Sequence, residues 1–243
     1  MTGTIFRFEV RNTFKQPLFY IFFALMVFQA IWFLQGSYDV YINDATYMNG
    51  AASFYRSLSG GGIILTIVIA LVSASALYRD IRYKTGSIVY TAAGDEKKFF
   101  IEKFLSAYVI NLFLGLGNCA GLVLSPFMGL ASPDKFGPTP WGQMVHGYLI
   151  FMATNLFIYT AFSIASLVVF KRISASYLSV FLITLLFFIC ETVRPLSSNV
   201  GPIQILDPSC FVYATLTLDA LPADAKNYSY NSLNDFYWIN RLL

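Results

Sequence analysis

Glu191 and Arg194 are the first residues whose placement asks for a chemical explanation. They stand three apart at the end of an apolar run, and that spacing puts both side chains on one helix face, where they can pair. Charges at membrane depth are costly and by default mark ion or substrate paths. The pair therefore reads either as a structural ion pair near a helix end or as a transport-path or gating element. His146 is the single histidine and sits near the start of another apolar run. It reads chiefly as an interfacial polar residue, with metal binding or proton relay as the sharper alternative. One histidine excludes an HExxH zinc site, and no CxxC pair or convincing Ser/His/Asp arrangement is present. Cys119 and Cys190 lie within apolar runs and Cys210 in a polar stretch, which suggests no disulfide framework. Ser59-Gly60-Gly61-Gly62 lacks the Lys and Ser/Thr of a phosphate cradle and precedes an apolar run instead of following a strand. It reads as a flexible or close-packed start of a helix. Asn111, Asn118 and Asn155 fall inside apolar runs, where asparagine hydrogen-bonds across helices or lines a path. Asn227-Tyr228-Ser229 matches a glycosylation sequon, a triplet common by chance. No catalytic, cofactor-binding or metal-binding motif is found, so no cofactor is expected. A membrane-embedded enzyme would have to use Glu191 with Arg194 or His146.

The elements that must position these residues follow from composition. The chain has 243 residues, of which 57% are hydrophobic and 12% charged, with a mean hydropathy of +0.62. Soluble domains carry about 25% charged residues, so this chain could not cover a water-facing surface of its own. A net charge of +3, with the basic residues in short clusters, disfavours a nucleic-acid partner. A bilayer span needs about 20 mainly apolar residues, and lipid admits helices because their backbone groups pair internally. Five runs qualify: Pro17 to Gln35, Gly61 to Tyr78, Phe104 to about Ala131, about Val145 to Phe170, and about Tyr177 to Val193. The expected fold is an all-α polytopic helical membrane protein. Gly115, Gly117 and Gly121, with Pro126 beyond, mark the third run for close helix approach or a kink. The first run is too long for a typical signal-peptide core and reads as a retained span.

Residues 2–16 place Phe6, Val10 and Phe14 on one stripe and Arg7, Arg11 and Lys15 on the next, the pattern of an interfacial amphipathic helix. Pro17 suits the bend into the first span. With the N-terminus inside, eleven basic residues are cytoplasmic (Arg7, Arg11, Lys15, Arg79, Arg82, Lys84, Lys97, Lys98, Lys103, Lys171, Arg172) and five are outside (Arg56, Lys135, Arg194, Lys226, Arg241). That asymmetry favours a cytoplasmic N-terminus. Three regions result: 1–16 as the amphipathic helix, 17–195 as the membrane domain with an inner loop at 79–103, and 196–243 as an extracytoplasmic loop. The outer loop 36–60 carries Tyr38, Tyr41, Tyr47, Phe54 and Tyr55, which resembles an interfacial aromatic belt. The inner loop, RDIRYKTGSIVYTAAGDEKKFFIEK, is the most charged stretch.

This order of elements resembles the permease subunits of type-2 ATP-binding-cassette exporters. In that family the stretch after the second span couples to a separate ATPase, and the matching positions here are Asp80, Lys84, Thr85, Gly86 and Lys103. Ala92-Ala93-Gly94 stands where the family often has proline. The strings FYRSLSGGG, FGPTPWGQ, ILDP and NRLL are similar to bacterial permeases fused to a zinc aminopeptidase-like domain, in which NRLLW opens a sixth span. The resemblance implies a subunit in the bacterial inner membrane, dimeric, partnered by a cytoplasmic ATP-binding-cassette ATPase. It also implies a fragment or split-gene product, cut where a sixth helix would begin. No zinc motif is present, so peptidase activity is not carried over. A secondary transporter or channel is the other alternative, although no inverted repeat is visible among the spans. A lipid, a peptide or a hydrophobic drug would suit such a path equally.

Overall fold

The computed structural model describes residues 3–36, 46–82, 96–129 and 131–242. The chain is an all-α polytopic helical protein with no strand among the described residues. Helix α1 (Thr4–Phe14) leads through Lys15 and Gln16 into α2 (Pro17–Gly36); α3 (Ala51–Arg82) and α4 (Glu96–Leu124) follow. Next, α5 (Trp141–Gly147), a π-helical segment (Tyr148–Ala153) and α6 (Thr154–Phe170) run on as one rod. Helix α7 (Ile173–Val193) precedes the shorter α8 (Gly201–Leu206), α9 (Phe211–Asp219), α10 (Ala225–Tyr228) and α11 (Asp235–Leu242).

Among the described residues, five segments are long and apolar enough to cross a membrane: Pro17–Gln35, Ala51–Val72, Lys97–Met128, Trp141–Phe170 and Ile173–Leu196. The second is the most enclosed, 72% buried, while the first and fifth are 28% and 17% buried. The second span is therefore the axis of the bundle. Its Leu58, Leu65 and Ile69 meet Met26, Leu114, Met152 and Leu156 in the main core.

Several elements depart from the sequence expectation. The second span, helix α3, begins at Ala51, so FYRSLSGGG lies inside it and Phe54 and Tyr55 are wholly buried, not part of an interfacial belt. Gly60–Gly62 are mid-helix and close-packed: a Cβ at Gly61 would meet Asn118 Nδ2 and one at Gly62 would meet Asn155. Where a loop was expected over 196–243, the described residues to Leu242 form a cap of helices α8 to α11. Asn240, Arg241 and Leu242 of NRLL belong to α11, which starts at Asp235. Pro126 falls in the 3-10 turn Ser125–Met128 after α4, so it ends that helix and does not kink it. The α4 glycines serve close approach. Gly117 and Gly121 stand four apart on one face, and the Phe23 and Val27 carbonyls of α2 come so near that a Cβ would lie 2.9 and 2.3 Å from them. Small residues spaced this way let membrane helices touch backbone to backbone.

Candidate functional site

Two polar constructions sit at opposite ends of the spans. At the first, α1 is clasped to the start of α4. The opening N–H groups of a helix lack intrahelical acceptors, and α1 has no side-chain cap of its own. Glu102 supplies it from α4: its carboxylate accepts from the backbone N–H groups of Gly3 (3.0 Å), Ile5 (3.1 Å) and Phe6 (3.3 Å). A carboxylate there also meets the positive end of the helix dipole. One residue on, the Lys103 ammonium pairs with Glu9, both side chains being more than nine-tenths buried. The same ammonium lies 5.5 Å from the centre of the Phe99 ring. Of the expected apolar stripe of α1, Val10 and Phe14 pack on the main core, and Ile5 beside the stripe joins a cluster with Phe99 and Tyr78.

Of the coupling residues expected from the sequence, Asp80 lies in the last turn of α3. Lys84, Thr85 and Gly86 lie outside the described residues. Lys103 is turned into the protein toward Glu9 instead of being displayed for a partner. Tyr78 near the end of α3 packs with Phe99, Phe100 and Phe104 of α4, which puts Asp80, the clasp and the ends of the 79–103 segment at one end of the bundle.

Within the spans, the three asparagines bridge helices. Asn118 donates to Gln29 of α2 (3.0 Å) and accepts from Ser57 of α3 (3.2 Å). Asn111 donates to Thr160 (2.9 Å). Asn155 donates to the backbone carbonyls of Ser59 (3.2 Å) and Ser209 (3.0 Å), joining the fourth span to the second and to the cap. These are cross-helix ties, the first of the two roles expected for them. Glu191 and Arg194 do pair, at 3.3 Å, near the end of the fifth span. His146 Nδ1 shares a 2.8 Å hydrogen bond with the Tyr55 hydroxyl. The π-helical segment breaks the regular helix ladder of the fourth span, and tyrosines serve carbonyls there: Tyr237 donates to Ile150 (2.7 Å) and Tyr108 to Ala153 (3.2 Å).

The second construction is the cap. Asp207 folds the chain between α8 and α9: its carboxylate accepts from the Ser209 N–H (3.0 Å), the Ser209 hydroxyl (2.8 Å) and the Val212 N–H (2.7 Å). Cys210 follows at φ 56°, in the left-handed region. Asn240 of α11 ties the turn down, its Nδ2 reaching the carbonyls of Gln204, Ile205 and Asp207. Burial dominates the electrostatics. It pushes the Asp207 carboxyl above the usual carboxylate range against the pull of its hydrogen bonds and Arg241, and it pushes the Cys210 thiol up to about 12. A thiol so protonated is a packing group, not a nucleophile. Elsewhere at the cap end, Arg56, 2% exposed, pairs with Asp219 of α9.

Sequence reasoning passed over Glu9, Glu102, Arg56, Asp207 and Asn240. Asp207-Pro208-Ser209 did carry a local signal, since an Asp two residues before a Ser often turns the chain by accepting its N–H. The ion pairs carried none, because their partners are far apart in sequence. Compared with known proteins, the chain matches no family model, no curated protein and no solved structure.

Proposed function

We propose that the chain is the membrane-spanning permease subunit of an ATP-binding-cassette exporter, driven by a separate cytoplasmic ATPase and acting as a dimer. The observation that carries the reading is the clasp. Glu102 and the Glu9–Lys103 pair join α1 to the start of the third span, at the same end as Asp80 and the described ends of the charged 79–103 segment. A push delivered to that segment would move α1 and the third span as one body. The Gly117–Gly121 seam would pass the motion to the first span, because backbones in contact cannot slide without parting. On this reading the clasp end is cytoplasmic, in agreement with the eleven-to-five bias of basic residues. Lys103 acts within the lever, and the contact with the ATPase falls to Asp80, Lys84, Thr85 and Gly86.

The test is co-expression with a genomically neighbouring ATP-binding-cassette ATPase. The full chain is expected to co-purify with it and to raise its ATP hydrolysis in reconstituted vesicles. Charge reversal at Asp80 and Lys84 together is expected to weaken both effects. An ATPase that ignores wild type and variant alike overturns the reading.

A further inference from the structure

Between the fourth and fifth spans, under the cap, runs a groove of about 680 Å³, within the range of roughly 300–1,000 Å³ usual for ligand sites. Phe157, Phe162, Leu182 and Leu186 form its walls and are all exposed. At its cap end stands Arg241. The guanidinium is only partly answered: its carbon lies 5.5 Å from the centre of the Tyr237 ring, while Nε and Nη1 are shielded from solvent without a hydrogen-bond acceptor. Its Nη2 makes one long bond, 3.4 Å, to the Ser209 carbonyl. Asp207 is near enough for its charge to be felt, but its oxygens are committed to Ser209 and Val212. A cation held this way at the head of an apolar groove is complementary to an anion carrying an apolar tail.

Helix α11 gives the depth. Trp238, Ile239 and Leu242 are exposed while Tyr237 and Asn240 are buried, so the helix shows an apolar face outward and a polar one to the cap. Such a helix lies in the lipid–water boundary, with tryptophan at headgroup level. Arg241, on the same helix, is then at the level of lipid phosphates.

We infer that the groove seats an anionic phospholipid, its phosphate on Arg241 and one acyl chain along the walls between the two spans. A guanidinium holds a phosphate through charge-assisted, often bidentate hydrogen bonds. The inference does not depend on the exporter reading.

Native mass spectrometry of the full chain, released from nanodiscs of phosphatidylglycerol and phosphatidylcholine with matched tails, tests it. The wild type is expected to retain phosphatidylglycerol with about tenfold preference. R241Q should lose the preference and R241K should keep most of it. S179F, which fills the groove away from the cation, should release lipid of either kind. The inference is overturned if R241Q keeps the preference, if S179F retains lipid undiminished, or if the wild type retains none. It is also overturned if a cysteine at Ala161 cross-links to a second copy in the same nanodiscs, since protein and not lipid would then fill the groove.

Discussion

Replacing Gly121 with alanine puts a number on the seam between the first and third spans. A Cβ at that position would stand 2.3 Å from the Val27 carbonyl oxygen and 2.8 Å from the Ala30 Cβ. Carbon and oxygen approach to about 3.3 Å at closest in ordinary packing, so the helices must part by about 1 Å. A gap of that size forfeits a quarter to a half of each facing dispersion well. Met26 is fully buried in the same seam; at about 50 contacts of ~0.15 kcal/mol, a loss of a quarter is about 2 kcal/mol. Alanine returns about 0.8–1.0 kcal/mol through its better helix propensity. With Ala30 and Phe23 sharing the seam, the expected net destabilisation is about 1–3 kcal/mol. Reversible unfolding of the solubilised chain in mixed micelles, followed by circular dichroism, measures it. Gly115 is the internal control: a Cβ there meets Leu156 Cδ1 at 3.1 Å and Met152 Cγ at 3.2 Å, side-chain atoms that can turn aside, so G115A should be close to neutral. A30G should not rescue G121A, because the limiting neighbour is a backbone carbonyl. G121A at least as stable as the wild type, or restored by A30G, refutes the reasoning.

Two further outcomes follow. Charge reversal by K103E should free α1 from the bundle at a cost of about 3–5 kcal/mol, the usual penalty for breaking a buried pair. Limited proteolysis near the N-terminus should accelerate, and E9K in the same chain should recover part of the protection; unchanged cleavage in K103E removes the clasp. Burial raises the Asp207 carboxyl above its usual 3.8, so the folded chain holds that proton more tightly than the unfolded one. The resulting stability is complete below about 3.8 and is lost as pH rises through the raised value. The denaturant midpoint should fall with pH across that window in the wild type and fall less in D207N; a midpoint that rises there contradicts the assignment.

The bundle was legible in the sequence because hydropathy reports how each residue meets lipid, and lipid leaves helices as the form for such runs. The number and order of spans came through. Where the reading failed, a polar residue was buried by protein instead of facing water. Arg56, Ser57 and Ser59 made residues 51–60 look like loop, yet Arg56 finds Asp219, Ser57 finds Asn118, and Ser59 bonds back to its own helix. The cap failed for the same reason: Asp207, Asn231 and Asn240 read as solvated but are buried. Each is held by partners many residues away or by a turn that a single sequence does not reveal. The Glu191–Arg194 pair was legible because its partners are one helical turn apart.

That difference bears on where a transported molecule would pass under the exporter reading. The bundle centre is closed by Asn118 with Gln29 and Ser57, by Asn155 with Ser59, and by the backbone contacts at Gly117 and Gly121. Each cross-helix hydrogen bond is modest, about 0.6 kcal/mol on average in a membrane. The seam is not, because parting it strips dispersion along both helices at once. A path through the interior of one chain would have to break all of these together. A path along the perimeter would break none, and the first and fifth spans are the two that bury least within the chain. An exporter built from this subunit would therefore move its cargo between chains, with the clasp tilting the third span and, through the glycine seam, carrying the first span with it.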